Sequence, residues 1–172
     1  MIQLRLTQKV QKVAGLKPSD LSEIQESTSG LGSWTVNLFN QDRRKVLIFV
    51  NDRTLYSFIL YGVRKEHYIN LKESFCLGLQ QLLSVDGFIE NEQNYLMQGM
   101  DNISHSKTNS KKVLGNMNDL IWHYQFLISE GGGLENANIG DIIHHLNRMP
   151  QRNIEWSYSI EAVAKIAAMH KR

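Results

Sequence analysis

A chain of 172 residues with 42% apolar and 21% charged residues and two prolines has the composition of a soluble globular protein, large enough to bury a core without staples. Its formal charge of +2 is too small to argue for nucleic acid on its own, and a single cysteine, Cys76, excludes an internal disulfide framework and any multi-cysteine zinc site. Every apolar run falls short of the ~20 residues that span a bilayer, so a cytoplasmic, single-domain protein over residues 1–172 with no membrane contact is expected.

Ile2, Leu4 and Leu6 alternate with Gln3 and Arg5, the pattern of a half-buried strand. Thr7 then caps a short helix to about Ala14, ended by Gly15 and Pro18. Residues 27–33, Ser-Thr-Ser-Gly-Leu-Gly-Ser, form the clearest flexible loop. Three apolar, aromatic and β-branched runs follow, at Trp34–Phe39, Val46–Val50 and Leu55–Leu60. The links between them, Asn40–Arg44 and Asn51–Arg53, are turn sequences too short for a crossover helix, so an antiparallel meander over about 34–60 is predicted. The middle run is apolar on both faces and should be covered on both sides.

Helical spacing then takes over. Tyr68, Leu71, Phe75, Leu79 and Leu82 form one stripe, with Cys76 inside it as a buried thiol. A shorter helix is predicted at about 90–100, and Ile103–Lys107 returns to the sheet. Val113, Leu114, Met117, Leu120, Ile121, Tyr124 and Ile128 make the best stripe, with Ser110 as N-cap and Gly131-Gly132-Gly133 as terminator. Ile139, Ile142, Ile143 and Leu146 give a further helix stopped by Pro150, and a last one runs over about 159–169. Strands in front and helices behind predict an α+β fold: an antiparallel sheet of four to five strands packed with several amphipathic helices. Those at about 66–84 and 111–129 should supply most of the core.

Two segments concentrate chemistry. In Lys107-Thr108-Asn109-Ser110-Lys111-Lys112, continued by Asn116, Asn118 and Asp119, cations and hydrogen-bonding groups crowd a helix start. Such a start presents unpaired backbone N–H groups and a positive dipole end, which suits phosphate or a nucleic-acid backbone. The plain alternative is a capped helix with solvated lysines. Arg43, Arg44 and Lys45, behind Asp42, place three cations at a hairpin tip, either to clamp phosphates or to keep strand edges soluble. Charge is also uneven: residues 41–75 hold seven Lys/Arg against four Asp/Glu, whereas 76–103 hold four Asp/Glu and no Lys/Arg. The six histidines show no metal-ligand spacing, and no nucleotide or dinucleotide loop occurs, so neither a metal nor a cofactor is expected.

Several stretches taken together resemble a known family. They are Trp34–Phe39, Asp42–Lys45, Phe49–Asn51, Thr54–Phe58, Lys107–Asn109, Val113–Asp119 and His145-Leu146-Asn147-Arg148-Met149-Pro150. The likeness is to an uncharacterised family of small bacterial proteins, a domain of unknown function, over nearly the whole chain. In that family an Arg-Ser-like pair is expected where this chain has Lys111-Lys112. The resemblance implies a single-domain bacterial protein and no particular mechanism. The residues themselves favour a non-catalytic binding module for an anionic partner, nucleic acid or a phosphate-bearing ligand. Two alternatives stay open: a small hydrolase or nuclease using Asp119, His123 or His105 with a lysine, and a protein-interaction subunit using the acidic 86–101 region.

Overall fold

The computed structural model describes residues 1–27, 30–155 and 157–169. Strands β1 (Ile2–Leu6), β2 (Trp34–Gln41), β3 (Arg44–Asn51), β4 (Ser57–Leu60) and β5 (Ile103–Lys107) form a five-stranded sheet in the order β4-β3-β2-β1-β5. β2, β3 and β4 are the antiparallel meander expected from the short turns. The sheet as a whole is mixed, which corrects the expectation of a purely antiparallel one: β1 runs parallel to both of its neighbours. The physical reason is connection length. The segment between β1 and β2, which includes α1 (Gln8–Val13), is long enough for a crossover, and so is the helical stretch between β4 and β5. The fold is α+β.

Helices cover both faces of the sheet. On one, Leu4, Leu6, Trp34, Val36, Phe49 and Phe58 meet α1, α3 (Leu71–Val85), α4 (Glu90–Leu96) and α7 (Ser159–Met169), with α2 (Lys65–Ile69) leading into α3. Trp34, Phe49, Phe58 and Phe75 pack ring against ring there, with centroids 4.8–6.2 Å apart. Such pairs add ~0.5–1.5 kcal/mol each beyond the area they bury. On the other face, Phe39, Val46, Ile48, Val50 and Ile59 meet the stripe Met117, Leu120, Tyr124 and Ile128 of α5 (Lys111–Glu130), together with α6 (Ile139–Leu146).

The expected helix over 66–84 is two helices that break at Asn70, and the third strand starts at Ser57 because Leu55 sits at φ +57° in the preceding turn. Residues 150–151 and 157–158 form a small second sheet, β6 (Pro150–Gln151) with β7 (Ser157–Tyr158), that no sequence pattern announced.

β1 is buried on both faces, not one: Gln3 and Arg5 are as inaccessible as the leucines between them. The extended segment 21–27 closes over them. Ser22 N–H donates to the His105 carbonyl at the sheet edge, the Gln3 amide donates to the Glu23 carbonyl, and Ser27 hydroxyl donates to the Met1 carbonyl. Of the expected loop 27–33, Thr28 and Ser29 lie outside the described residues. Gly30–Ser33 are buried, and the Asn51 amide donates to the carbonyls of Leu31 and Ser33.

At the far edge, Asn147 substitutes for a neighbouring strand. Its side-chain oxygen accepts Ser57 N–H at 2.9 Å and its amide donates to Ser57 carbonyl at 2.8 Å, satisfying both edge groups of a buried residue. Arg148 donates to the buried carboxylate of Asp86, which also accepts the Tyr56 hydroxyl. Burial, then the hydrogen bond to Asp86, raises the Tyr56 phenol well above its ordinary range. Asn147 thus fastens the end of α6 to the sheet, and Arg148 fastens it to the end of α3.

Candidate functional site

The two basic segments lie at opposite ends of α5, whose 20 residues span about 30 Å. At the C-terminal end, the two-residue turn Asp42-Arg43 has φ of 49° and 62°, a geometry in which the second strand returns with the native twist. Asp42 accepts Leu134 N–H at 2.7 Å, in the loop after α5. Gly133 is required there: a Cβ on it would lie 2.8 Å from the Asp42 carboxylate. Arg44 pairs with Glu135 at 2.8 Å, and Gln41 donates to the Ser129 hydroxyl. The hairpin tip that holds Arg43, Arg44 and Lys45 is therefore docked on its own fold.

The N-terminal end is built differently. Ser110 accepts Val113 N–H at 3.2 Å, the expected cap. Lys107, Asn109, Lys111 and Lys112 are exposed, and Thr108 is half-buried. Among the described residues none of the three lysines has an ion-pair partner. Beneath them lies Arg5. Its Nη1 donates to Asp52 Oδ2 and to Asn109 Oδ1, both at 3.0 Å, and its Nη2 donates to the Gln25 carbonyl and to Glu26. Asn109 therefore anchors the 107–110 segment to the sheet through its side-chain oxygen.

Arg5 and Asp52 are 6% and 10% exposed at the side chain, so this is a buried ion pair. Burial raises the Asp52 carboxyl to about 6 despite the opposing Thr35 hydroxyl, 2.7 Å away, and the Arg5 charge. Desolvation outweighs pairing here. Sequence reasoning missed Arg5 because alternation with leucines looks the same whether water or a covering segment lies above. The signal that could have found it is the polar segment 22–27, long enough to cover that face.

Further along α5, Asn118 and Asp119 are exposed and Asn116 is half-buried. Asn118 flanks a groove with Lys9, Asn37, Asn40 and Gln125, where Thr7 donates to the Asn37 side chain instead of capping α1. Asp119 and His123, one turn apart, line a second groove of about 270 Å³ with Trp122, Met149 and Arg152. His105 does not join them. Lying on β5 opposite Leu4 of β1, it projects to the other face of the sheet, where burial and then Lys72 lower its pKa. Among the described residues, no three His, Cys, Asp or Glu side chains are grouped to hold a metal ion. Cys76 is half-buried beside Met100, and burial pushes its thiol pKa up.

Among the described residues no helix is long and apolar enough to cross a membrane. The chain matches none of the curated proteins with which it was compared. Residues 3–162 match a family model, and the chain belongs to that family, DUF6933, a domain of unknown function.

Proposed function

We propose that the protein is a non-catalytic binding module for an anionic, phosphate-bearing partner, with nucleic acid first among such partners. The contact surface is the entrance of α5: Lys107, Thr108, Lys111 and Lys112 around the capped helix start, with Asn109 positioned by Arg5. The observation that carries this reading is three exposed, unpaired lysines at the N-terminus of a 20-residue helix, among the described residues. Phosphate there meets cations, backbone N–H groups and the positive end of the dipole together. Asn116, Asn118 and Asp119 continue from this entrance along the helix.

The hydrolase reading has less support because His105 lies across the sheet from Asp119 and His123. A partner docked on the acidic 86–101 region has less support because Asp86 is buried and occupied by Tyr56 and Arg148. Fluorescence anisotropy with labelled single- and double-stranded oligonucleotides, titrated in salt, tests the proposal. Binding that weakens with salt in the wild type and falls in the K107A/K111A/K112A variant, with the melting temperature unchanged, is the expected result. No binding to any oligonucleotide at low salt refutes the nucleic-acid form, and no direct binding of inorganic phosphate or polyphosphate by calorimetry refutes the anionic form as well.

A further inference from the structure

We infer that the solvent face of α5 is a track for single-stranded nucleic acid, with phosphates at the lysine entrance and a base stacked on Trp122. This deepens the proposed function and rests on it. At 100° per residue, Lys111, Gly115, Trp122 and Phe126 fall on one stripe within about 60°, directly opposite the buried Met117, Leu120, Tyr124 and Ile128. Trp122 is 60% and Phe126 49% exposed, and their rings stack in parallel with centroids 5.6 Å apart. Both rings lie on the outer face of the helix, outside the core packed beneath it. His123 meets Trp122 edge-on at 5.1 Å, which orients the indole. Because Phe126 occupies the C-terminal side of the indole, a further ring extends the stack toward the lysines.

Gly115 is the second observation. It lies in the interior of a long helix, where glycine costs about 1 kcal/mol relative to alanine. Yet no atom comes within 4 Å of a Cβ built there, and φ is ordinary. The contrast with Gly133 is direct: one glycine is demanded by a neighbour in the fold, the other by nothing in it. An exposed glycine between cations and aromatics lets a ligand backbone lie against the helix. From Lys111 to Trp122 the track is about 16 Å long, a span of a few nucleotides. The two ends differ in charge: cations alone gather at the start, whereas the groove beside Trp122 combines Asp119 with His123 and Arg152, a mixed set of acceptor and donors that suits a base edge. In a duplex the bases are already stacked on one another, so single strands are selected.

The test is binding of oligo(dT), oligo(dA) and a duplex to wild type, Trp122→Ala, Trp122→Tyr and Gly115→Ala, by anisotropy and tryptophan quenching, with melting curves of each variant. The account expects single strands to bind more tightly than duplex and Trp122→Ala to weaken binding about tenfold or more, with Trp122→Tyr restoring most of it. Gly115→Ala should melt a few degrees higher yet bind several-fold more weakly. If oligonucleotides bind and the lysine variant flattens the salt dependence, but Trp122→Ala and Gly115→Ala bind like wild type, the track is wrong and the proposed function stands. Equal affinity for duplex also overturns it. A Trp122-dependent self-association in place of oligonucleotide binding overturns it and makes the stripe a protein contact. No binding of any oligonucleotide by the wild type removes the track together with the nucleic-acid form of the proposed function.

Discussion

The two ends of α5 carry similar basic sequences and have opposite fates. At the C-terminal end, Asp42 caps the loop at Leu134 and Arg44 is paired with Glu135, so these two hairpin charges are engaged with their own chain, beside the exposed Arg43 and Lys45. At the N-terminal end the lysines face water, and the buried ion pair beneath them, Arg5 with Asp52, holds the segment from below through Asn109. Cation density in a sequence is therefore not by itself a site. What decides is whether the fold already supplies the counter-charge.

The comparison can be broken most forcefully through pH. Asp52 is a carboxyl whose folded-state pKa is raised from 3.8 to about 6, so its protonated form favours the folded state. The sign follows: that contribution is fully present below about pH 4 and is lost as pH rises through about 6. Its size is on the order of 3 kcal/mol. Urea unfolding between pH 4 and 7 should show this decline, and Asp52→Asn should flatten it. A flat wild-type profile would mean that the pair beneath the entrance is ionised throughout, as an exposed pair is.

Asp42→Ala should cost about 1–3 kcal/mol, since it orphans the part-buried Leu134 N–H. Asp42→Asn, which keeps an acceptor and tolerates the left-handed backbone, should cost less. Arg44→Ala removes a pair that is 51% and 74% exposed and should change stability by less than about 1 kcal/mol. Smaller than the Asp42 effect, and at the opposite end, Ser110→Ala should lower stability by about 1 kcal/mol through the lost cap. Binding by the intact lysines should persist in it, and chemical denaturation paired with anisotropy reads both.

Much of this fold was legible in the chain because its signals are local. The meander followed from turn sequences too short for anything else, the Ser110 cap and the α5 stripe from periodicity, and the return of 103–107 to the sheet from its apolar start. The parallel pairing of β1 was not legible, since it depends on which strands a crossover brings together across more than twenty residues. Burial of Gln3 and Arg5 was hidden for the same reason: segment 21–27 covers them from a distance in sequence. At the candidate site, the lysines were visible as a cluster, but Arg5, Asp52 and the docking of the hairpin on residues 133–135 are tertiary facts. Asn147 shows the limit from the other side: its motif stood out, yet its role is to complete the edge of β4.

The most direct test sets the two ends of α5 against each other in one titration. The salt dependence of single-stranded oligonucleotide binding is measured for wild type, K107A/K111A/K112A and R43A/R44A/K45A. Each phosphate contact contributes about 0.7–0.9 to the log–log slope. The account predicts a slope reduced by roughly two to three for the entrance variant and an unchanged slope for the hairpin variant. A loss of slope in the hairpin variant, with the entrance variant indistinguishable from wild type, would contradict it.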